Sequence, residues 1–296
     1  MKNVMITGSS GFIGKHATDF FKVNGYHVTK LRHEDLSSDK AFEISKNSHK
    51  KIDYIIHLAA RNNDKDDKWD DFFLSNVLLT EKIVKLGIRL GARKILFLST
   101  LKVHGDYSFV NCPLNEDSKI DPYDSYSKSK AMAEEVIKKL CPDSRLDYVI
   151  LRPPLVYGKG VKGNFMSIAK LIENRIPIPI DDLKMPRSIL SVNNLLDCMK
   201  VCLENPIAAN KTYLVADDKD ISFKNLTLLI SKGMDIKPLT FNIPRRLIKL
   251  LLFFLGKKNV AMRIIEPFQA DISLIKDDIN WSPKLDSDSE IVKLFK

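Results

Sequence analysis

Seven residues near the start of the chain, Gly8-Ser9-Ser10-Gly11-Phe12-Ile13-Gly14, restrict the fold more than any other stretch. They follow a short apolar run, Asn3–Thr7, and open a segment with helical apolar spacing, Phe12 to Asn24. Each glycine has a physical task if a dinucleotide lies there. Gly8 permits a tight turn, Gly11 lets backbone approach a pyrophosphate, and Gly14 lets helix and strand pack closely. The helix N-terminus then offers free N–H groups and a partial positive charge to phosphate. Three glycines alone are a weak signal, but a strand before them and a helix after them make it a specific one.

The same rhythm continues. Strands are expected at His27–Leu31, Tyr54–Leu58, Lys94–Ser99 and Tyr148–Arg152, with helices over Trp69 to Leu90 and Tyr123 to Leu140. Near-continuous apolar strands alternating with helices indicate βαβ units on a parallel sheet covered on both faces. After Arg152 the pattern becomes loop-rich, with Pro153-Pro154, Gly158, Gly160 and Gly163. A helix near Phe165–Asn174 follows, then strands at Ser188–Val192 and Thr212–Ala216 around a helix at Asn193–Glu204. The expected fold is α/β, a Rossmann-type doubly wound parallel sheet with a smaller C-terminal domain. Residues 1–156 belong mainly to the first, with 188–216 returning to it, and 157–187 and 217–296 to the second.

Composition narrows the function classes. The chain has 296 residues, 44% of them hydrophobic and 28% charged, which excludes a disordered or collagen-like protein. Its net charge of +10 comes from scattered basic residues, so no nucleic-acid partner is expected. An anionic small ligand or an anionic membrane surface fits that charge equally well. Cys112, Cys141, Cys198 and Cys202 have no disulfide or metal-ligand pattern, so no metal is expected. Met1–Thr7 runs straight into the glycine turn without a signal-like apolar stretch, and a cytoplasmic protein is expected.

Tyr126-Ser127-Lys128-Ser129-Lys130 puts a tyrosine and a lysine on one helical face. A phenol titrates near ~10 unaided, and a neighbouring ammonium moves it towards acid–base work at neutral pH. Alone, this spacing decorates many solvated helices; beside a dinucleotide turn it carries chemistry. At the end of the preceding expected strand, Ser99 and Thr100 place two hydroxyls side by side. His57, inside Ile55-Ile56-His57-Leu58, reads as a structural histidine, whereas His104 lies on the loop after that strand within reach of a substrate.

These elements together resemble the extended short-chain dehydrogenases/reductases, the group of NAD-dependent epimerases and dehydratases. The resemblance runs through Thr7-Gly8…Gly14, His57-Leu58-Ala59-Ala60, Asn76-Val77, Ser99-Thr100, Tyr126–Lys130 and Arg152-Pro153-Pro154. It implies Thr100, Tyr126 and Lys130 as catalytic residues. It also implies cofactor contacts from Gly8, Ser10, Gly11, Phe12, Ile13, Gly14, Leu58, Ala59, Ala60, Asn76, Tyr126, Lys130 and Pro153. Asp35-Leu36 resembles the family's adenine-contacting pair. Arg32 stands where NAD-preferring relatives carry Asp, so NADP(H) is expected over NAD(H); the plainer reading of Arg32 is a solvated strand-end charge.

For substrate, the resemblance implies a nucleotide sugar, a UDP-sugar, bound by the C-terminal domain. Thr100, Lys102, Asn164, Arg187 and Arg263 are the candidate contacts, Arg187 for the diphosphate. Thr100 is followed by Leu101-Lys102 instead of the acid pair of a 4,6-dehydratase. Two chemistries remain. The stretches Ser99–Gly105 and Tyr157–Phe165 resemble bacterial 4-reductases of UDP-4-keto-6-deoxy-GlcNAc, which make UDP-N-acetylquinovosamine for surface polysaccharide. The alternative is a UDP-Glc/UDP-GlcNAc 4-epimerase holding NAD tightly. The resemblance further implies a homodimer through the helices at Trp69–Leu90 and Tyr123–Leu140. Arg245-Arg246 and Leu247–Leu255 with Lys257-Lys258 form a basic-flanked apolar segment, either a packing element or a peripheral docking site beside a membrane glycosyltransferase.

Overall fold

A computed structural model describes residues 1–32, 51–62, 67–109, 111–161, 163–180, 185–242, 244, 247 and 266–296. Asp35, Leu36, Lys162, Arg245, Arg246, 248–255, Lys257, Lys258 and Arg263 lie outside the described residues, as does the side chain of Asn164. The strands are Asn3–Thr7 (β1), His27–Leu31 (β2), Tyr54–His57 (β3), Lys94–Leu98 (β4), Asp147–Arg152 (β5), Leu155–Tyr157 (β6), Ile178–Ile180 (β7), Ile189–Ser191 (β8), Lys211–Leu214 (β9) and Thr240–Asn242 (β10). The first helix is Phe12–Val23 (α1). The second (α2) joins Trp69–Phe72, a π-helical stretch Phe73–Leu78, and Leu79–Arg89. Ser125–Leu140 (α3), Asn164–Glu173 (α4), Val192–Glu204 (α5), Phe223–Met234 (α6), Ser273–Ile279 (α7) and Ser287–Leu294 (α8) follow.

Six strands form one parallel sheet in the order β2-β1-β3-β4-β5-β9. Successive side chains of a strand alternate between faces, and both faces are apolar here. Val4, Ile6, Ile56, Leu96 and Leu151 pack with Phe21, Leu195, Met199 and Ile275 of α1, α5 and α7. Met5, Ile55, Ile95, Phe97 and Ile150 pack with Ile83, Val84, Ala133 and Ile137 of α2 and α3. Gly87 lets α2 come close, since a Cβ there would lie 2.9 Å from Ile55 Cδ1 and Leu146 Cδ2. The run from 188 to 192 does not extend the large sheet: β8 pairs with β6 in a separate two-stranded sheet. A second core of Tyr157, Phe165, Ile172, Ile178, Ile189, Ile230 and Ile291 joins β6–β8 to α4, α6 and α8.

β2 and β3 lie on opposite sides of β1, so the chain reverses direction across the sheet there. The carboxyl ends of strands at such a reversal frame a crevice, the usual ligand position in open α/β sheets. The glycine turn leaves β1 at that point and the segment from Leu58 leaves β3. Among the described residues, no helix is long and apolar enough to cross a membrane.

Candidate active site

The turn after β1 is built for close approach. Gly8 has φ +68°, and a Cβ on it would fall 2.6 Å from the backbone nitrogen of Ala59. A Cβ on Gly14 would fall 2.0 Å from the Gly8 carbonyl oxygen, so α1 can start here only with glycine. Gly11 is the N-cap of α1, and no side chain caps the helix and no acidic residue occupies its first turn. That uncapped N-terminus suits a phosphate, with Ser10 and Gly11 exposed and Phe12 and Ile13 half-buried around it. These residues fit a dinucleotide.

The facing wall is held by hydrogen bonds. Thr7 Oγ1 accepts from the backbone N–H groups of Leu58 and Ala59, each at 3.2 Å. It stands 2.7 Å from His57 Nδ1, and His57 Nε2 is 3.0 Å from Thr80 Oγ1, which itself donates to the Asn76 carbonyl. Thr7 therefore donates to Nδ1, and Nε2–H donates to Thr80. Burial first, and Lys130 second, push His57 down to about 3. It is a neutral structural histidine, as the sequence indicates. Leu58, Ala59 and Ala60 line the crevice half-buried. Asn76 is buried and its amide is engaged within the protein: it accepts from Arg61 N–H and donates to Arg61 O and Ser129 Oγ. It lies in the π-helical stretch of α2, a distortion that recurs at functional sites.

Thr100 and Tyr126 meet at the opposite side of the crevice. Thr100 is buried at the end of β4, and its hydroxyl accepts from Lys102 N–H at 3.3 Å. The Leu101 N–H donates to the Pro153 carbonyl at 2.8 Å, tying this segment to the buried turn after β5. Tyr126 and Lys130 share one face of α3. The Tyr126 phenol is pushed up to about 12, first by burial and then by the Asp124 carboxylate, with the Thr100 hydroxyl pulling the other way. Lys130 is buried with Nζ 3.9 Å from the centre of the Phe97 ring. Burial lowers it to about 7 against the opposing pull of Glu134. The site thus holds a protonated phenol beside a lysine poised near neutrality.

Lys102, expected at the substrate, is ion-paired with Asp124 at 2.5 Å and Asp106 at 3.2 Å. Asp124 caps α3 and accepts from Ser127 N–H at 2.7 Å. Sequence reasoning missed Asp124, although an Asp directly before a helical run is a start signal. It also missed a buried chain under α3, in which Glu134 and Arg152 pair at 2.6 Å and Arg152 Nη1 lies 3.0 Å from His104 Nε2. Because a guanidinium only donates, His104 accepts through Nε2, and its Nδ1–H donates to Lys119 O at 3.1 Å. Burial, and then Arg152, lower His104. His104 is thus a buried internal tie.

Arg187 precedes β8, half-buried, with its guanidinium 5.1 Å over the Phe268 ring and Nη1 donating to Glu266 O at 2.7 Å. The 266–270 strip joins it to the loop beyond Thr100, where Ser108 N–H donates to Pro267 O and Leu114 bridges Ala270. Asn164 opens α4. Arg32 stands exposed immediately after β2, the edge strand among the described residues.

The family model described as the NAD dependent epimerase/dehydratase family matches residues 4–216. A Vibrio cholerae protein named UDP-glucose 4-epimerase is 31% identical over 95% of this chain and 91% of its own length. The Campylobacter jejuni UDP-Glc/GlcNAc 4-epimerase structure superposes with a TM-score of 0.80 at 20% identity, covering 100% of this chain and 98% of that one. RMD from Pseudomonas aeruginosa, solved with NADPH, superposes with a TM-score of 0.81 at 17% identity over 99% and 98% of the two chains.

Proposed function

Because the chain belongs to the NAD-dependent epimerase/dehydratase family, whose members act on nucleotide sugars with nicotinamide cofactors, we propose that it is an NADP(H)-dependent 4-ketoreductase of a UDP-sugar. The substrate in this reading is UDP-2-acetamido-2,6-dideoxy-hexos-4-ulose and the product UDP-N-acetylquinovosamine.

The glycine turn, the α1 N-terminus and the Leu58–Ala60 wall hold the dinucleotide, while Lys130 and Pro153 flank its nicotinamide end. When bound, the reduced nicotinamide supplies the hydride and, being uncharged, leaves the phenol its proton. Thr100 hydrogen-bonds the keto oxygen and orients it. Tyr126 gives its phenolic proton to that oxygen as it becomes an alkoxide. The Lys130 ammonium stabilises the phenolate left behind. Arg187, already braced by Phe268 and Glu266, supplies a charge-assisted grip for the diphosphate. Asn76 shapes the site through Arg61 and Ser129.

The observation that carries the choice of a reductase is Arg32 at the end of β2, where a guanidinium favours a ribose 2′-phosphate and hence the cofactor of net reduction. Arg32→Asp is expected to shift preference from NADPH towards NADH by at least about tenfold, the worth of one charge-assisted contact. An unchanged ratio of the two binding constants would overturn the assignment. A second reading, a UDP-hexose 4-epimerase that keeps NAD, is favoured by the name of the Vibrio cholerae relative. In that case the protein would be purified with stoichiometric NAD and would interconvert UDP-hexoses without consuming reduced cofactor.

A further inference from the structure

We propose that Glu134 is a positioning residue of the Thr100–Tyr126–Lys130 site, whose buried carboxylate locks α3 to the ends of β4 and β5 and keeps a negative charge one helical turn from Lys130. The proposal rests on reading that triad as the chemical site. Glu134 is 1% exposed, its partners Ser99 and Arg152 are each 3% exposed, and His104, which Arg152 contacts in turn, is 6% exposed. Arg152 Nη2 donates to Oε2 at 2.6 Å, and Nε lies 3.1 and 3.2 Å from the two carboxylate oxygens. The Ser99 hydroxyl donates to Oε1.

One arm of this carboxylate reaches the segment that carries Thr100, and the other reaches the end of β5, which is tied to that segment. Ser99 precedes Thr100 at the end of β4. Arg152 ends β5 and precedes Pro153, whose carbonyl receives the Leu101 N–H. Arg152 Nη1 extends the chain to His104, at the end of the short helical turn Leu101–His104. Glu134 itself lies two turns along α3 from Tyr126 and one from Lys130. A bidentate carboxylate–guanidinium pair fixes geometry as well as charge, so strand ends and helix cannot slide independently. Burying such a pair adds little net stability compared with an apolar pair, which points to positioning as the reason for its presence.

The charge matters separately. Lys130 is faced by Glu134 on its own helix, where Tyr126 lies one turn before it, by His57 from β3, and by the Phe97 ring from β4. Around Glu134 stand Arg152, His104 and, at 3.9 Å, Lys138 Nζ. His57 is neutral, so Glu134 is the one anion whose field supports the Lys130 ammonium among these groups.

Two readouts of Glu134→Gln separate the proposal from a merely structural role. First, Lys130 is titrated by NMR in protein carrying lysine labelled at its ε-carbon, the signal assigned with Lys130→Arg. The midpoint is expected to fall by about one pH unit in Glu134→Gln, the usual effect of losing an opposite charge nearby. Second, kcat is expected to fall at least about tenfold, with the NADPH dissociation constant unchanged within about twofold and the alkaline limb of the rate profile moved to lower pH. A folded Glu134→Gln protein with both the Lys130 midpoint and kcat of the wild type overturns the proposal. If that variant does not fold, Ser99→Ala carries the test, because it removes one arm without stranding a charge: kcat lower by about threefold or more supports the clamp, and wild-type kcat refutes it. If the wild type reduces no nucleotide sugar, the functional reading fails, while the Lys130 titration still decides the role of Glu134.

Discussion

Tyr126 and Lys130 are displaced from their ordinary ionisation in opposite directions, and burial is the first cause of both. The phenol is therefore a proton donor in the free protein, which suits delivery of a proton to a ketone. Tyr126→Phe removes that proton and nothing else of size, so turnover is expected to fall about 10²–10⁴-fold while NADPH binding, followed by cofactor fluorescence, persists. Loss of both together would assign Tyr126 to cofactor binding instead. The pH dependence has a definite sign. The Lys130 ammonium is present below its depressed midpoint of about 7 and lost above it, so kcat/KM for reduction should be higher on the acid side and decline as pH rises through that value. A rate that climbs through that range would contradict this role. Tyr126 and Lys130 were legible in the sequence because their spacing is local; the direction of the phenol's shift was not, because the sequence suggests an ammonium drawing it towards neutral pH, whereas burial in the folded chain raises Tyr126 and lowers Lys130.

At the scale of elements, α3 begins at Ser125 and not at Tyr123, because the Asp124 side chain and the Ser127 hydroxyl form a reciprocal cap. Asp124 has two further attachments: it holds Lys102 and it raises Tyr126. Asp124→Ala should cost about 1 kcal/mol of stability through the lost cap, and should let the Tyr126 phenol ionise at lower pH. Thermal unfolding measures the first effect and the absorbance of tyrosinate, taken as a difference from the Tyr126→Phe background, measures the second. An unchanged melting curve would mean that Ser127 alone suffices to start the helix. The glycine turn and its flanking β1 and α1 could be read directly, since their constraints lie within one short segment. The π-helical stretch of α2 could not, since the partners of its Asn76, the Arg61 backbone and the Ser129 hydroxyl, meet it only in the folded chain. Nor could the pairing of β8 with β6, since a three-residue apolar run does not say which sheet it joins.

Across the whole molecule, the parallel sheet and its two apolar faces follow from strands that are hydrophobic throughout, and the second core follows from the apolar residues beyond Arg152. What sequence could not supply was the set of long-range ties: Glu134 to Arg152, Arg187 to Glu266, and Thr7 to His57. The last has a consequence for the entire fold. Burial holds His57 near 3 in the folded chain, against about 6.5 when unfolded. The unfolded chain therefore binds one more proton between those values, and stability present above about 6.5 is lost as pH falls towards 3, with a slope of up to about 1.4 kcal/mol per pH unit. Denaturant unfolding of wild type and His57→Gln from pH 6.5 to 4 should show a steeper loss in the wild type. Equal slopes would place the acid sensitivity elsewhere.

Whether the protein carries out a single net reduction is decided by mixing it, purified, with NADPH and UDP-2-acetamido-2,6-dideoxy-hexos-4-ulose generated in situ, while following NADPH absorbance and identifying the sugar formed. A reductase consumes NADPH one-to-one with formation of a 4-hydroxy sugar nucleotide, from protein that releases no stoichiometric NAD on denaturation. Stoichiometric bound NAD, no loss of NADPH, and interconversion of UDP-hexose epimers would contradict it and establish the epimerase.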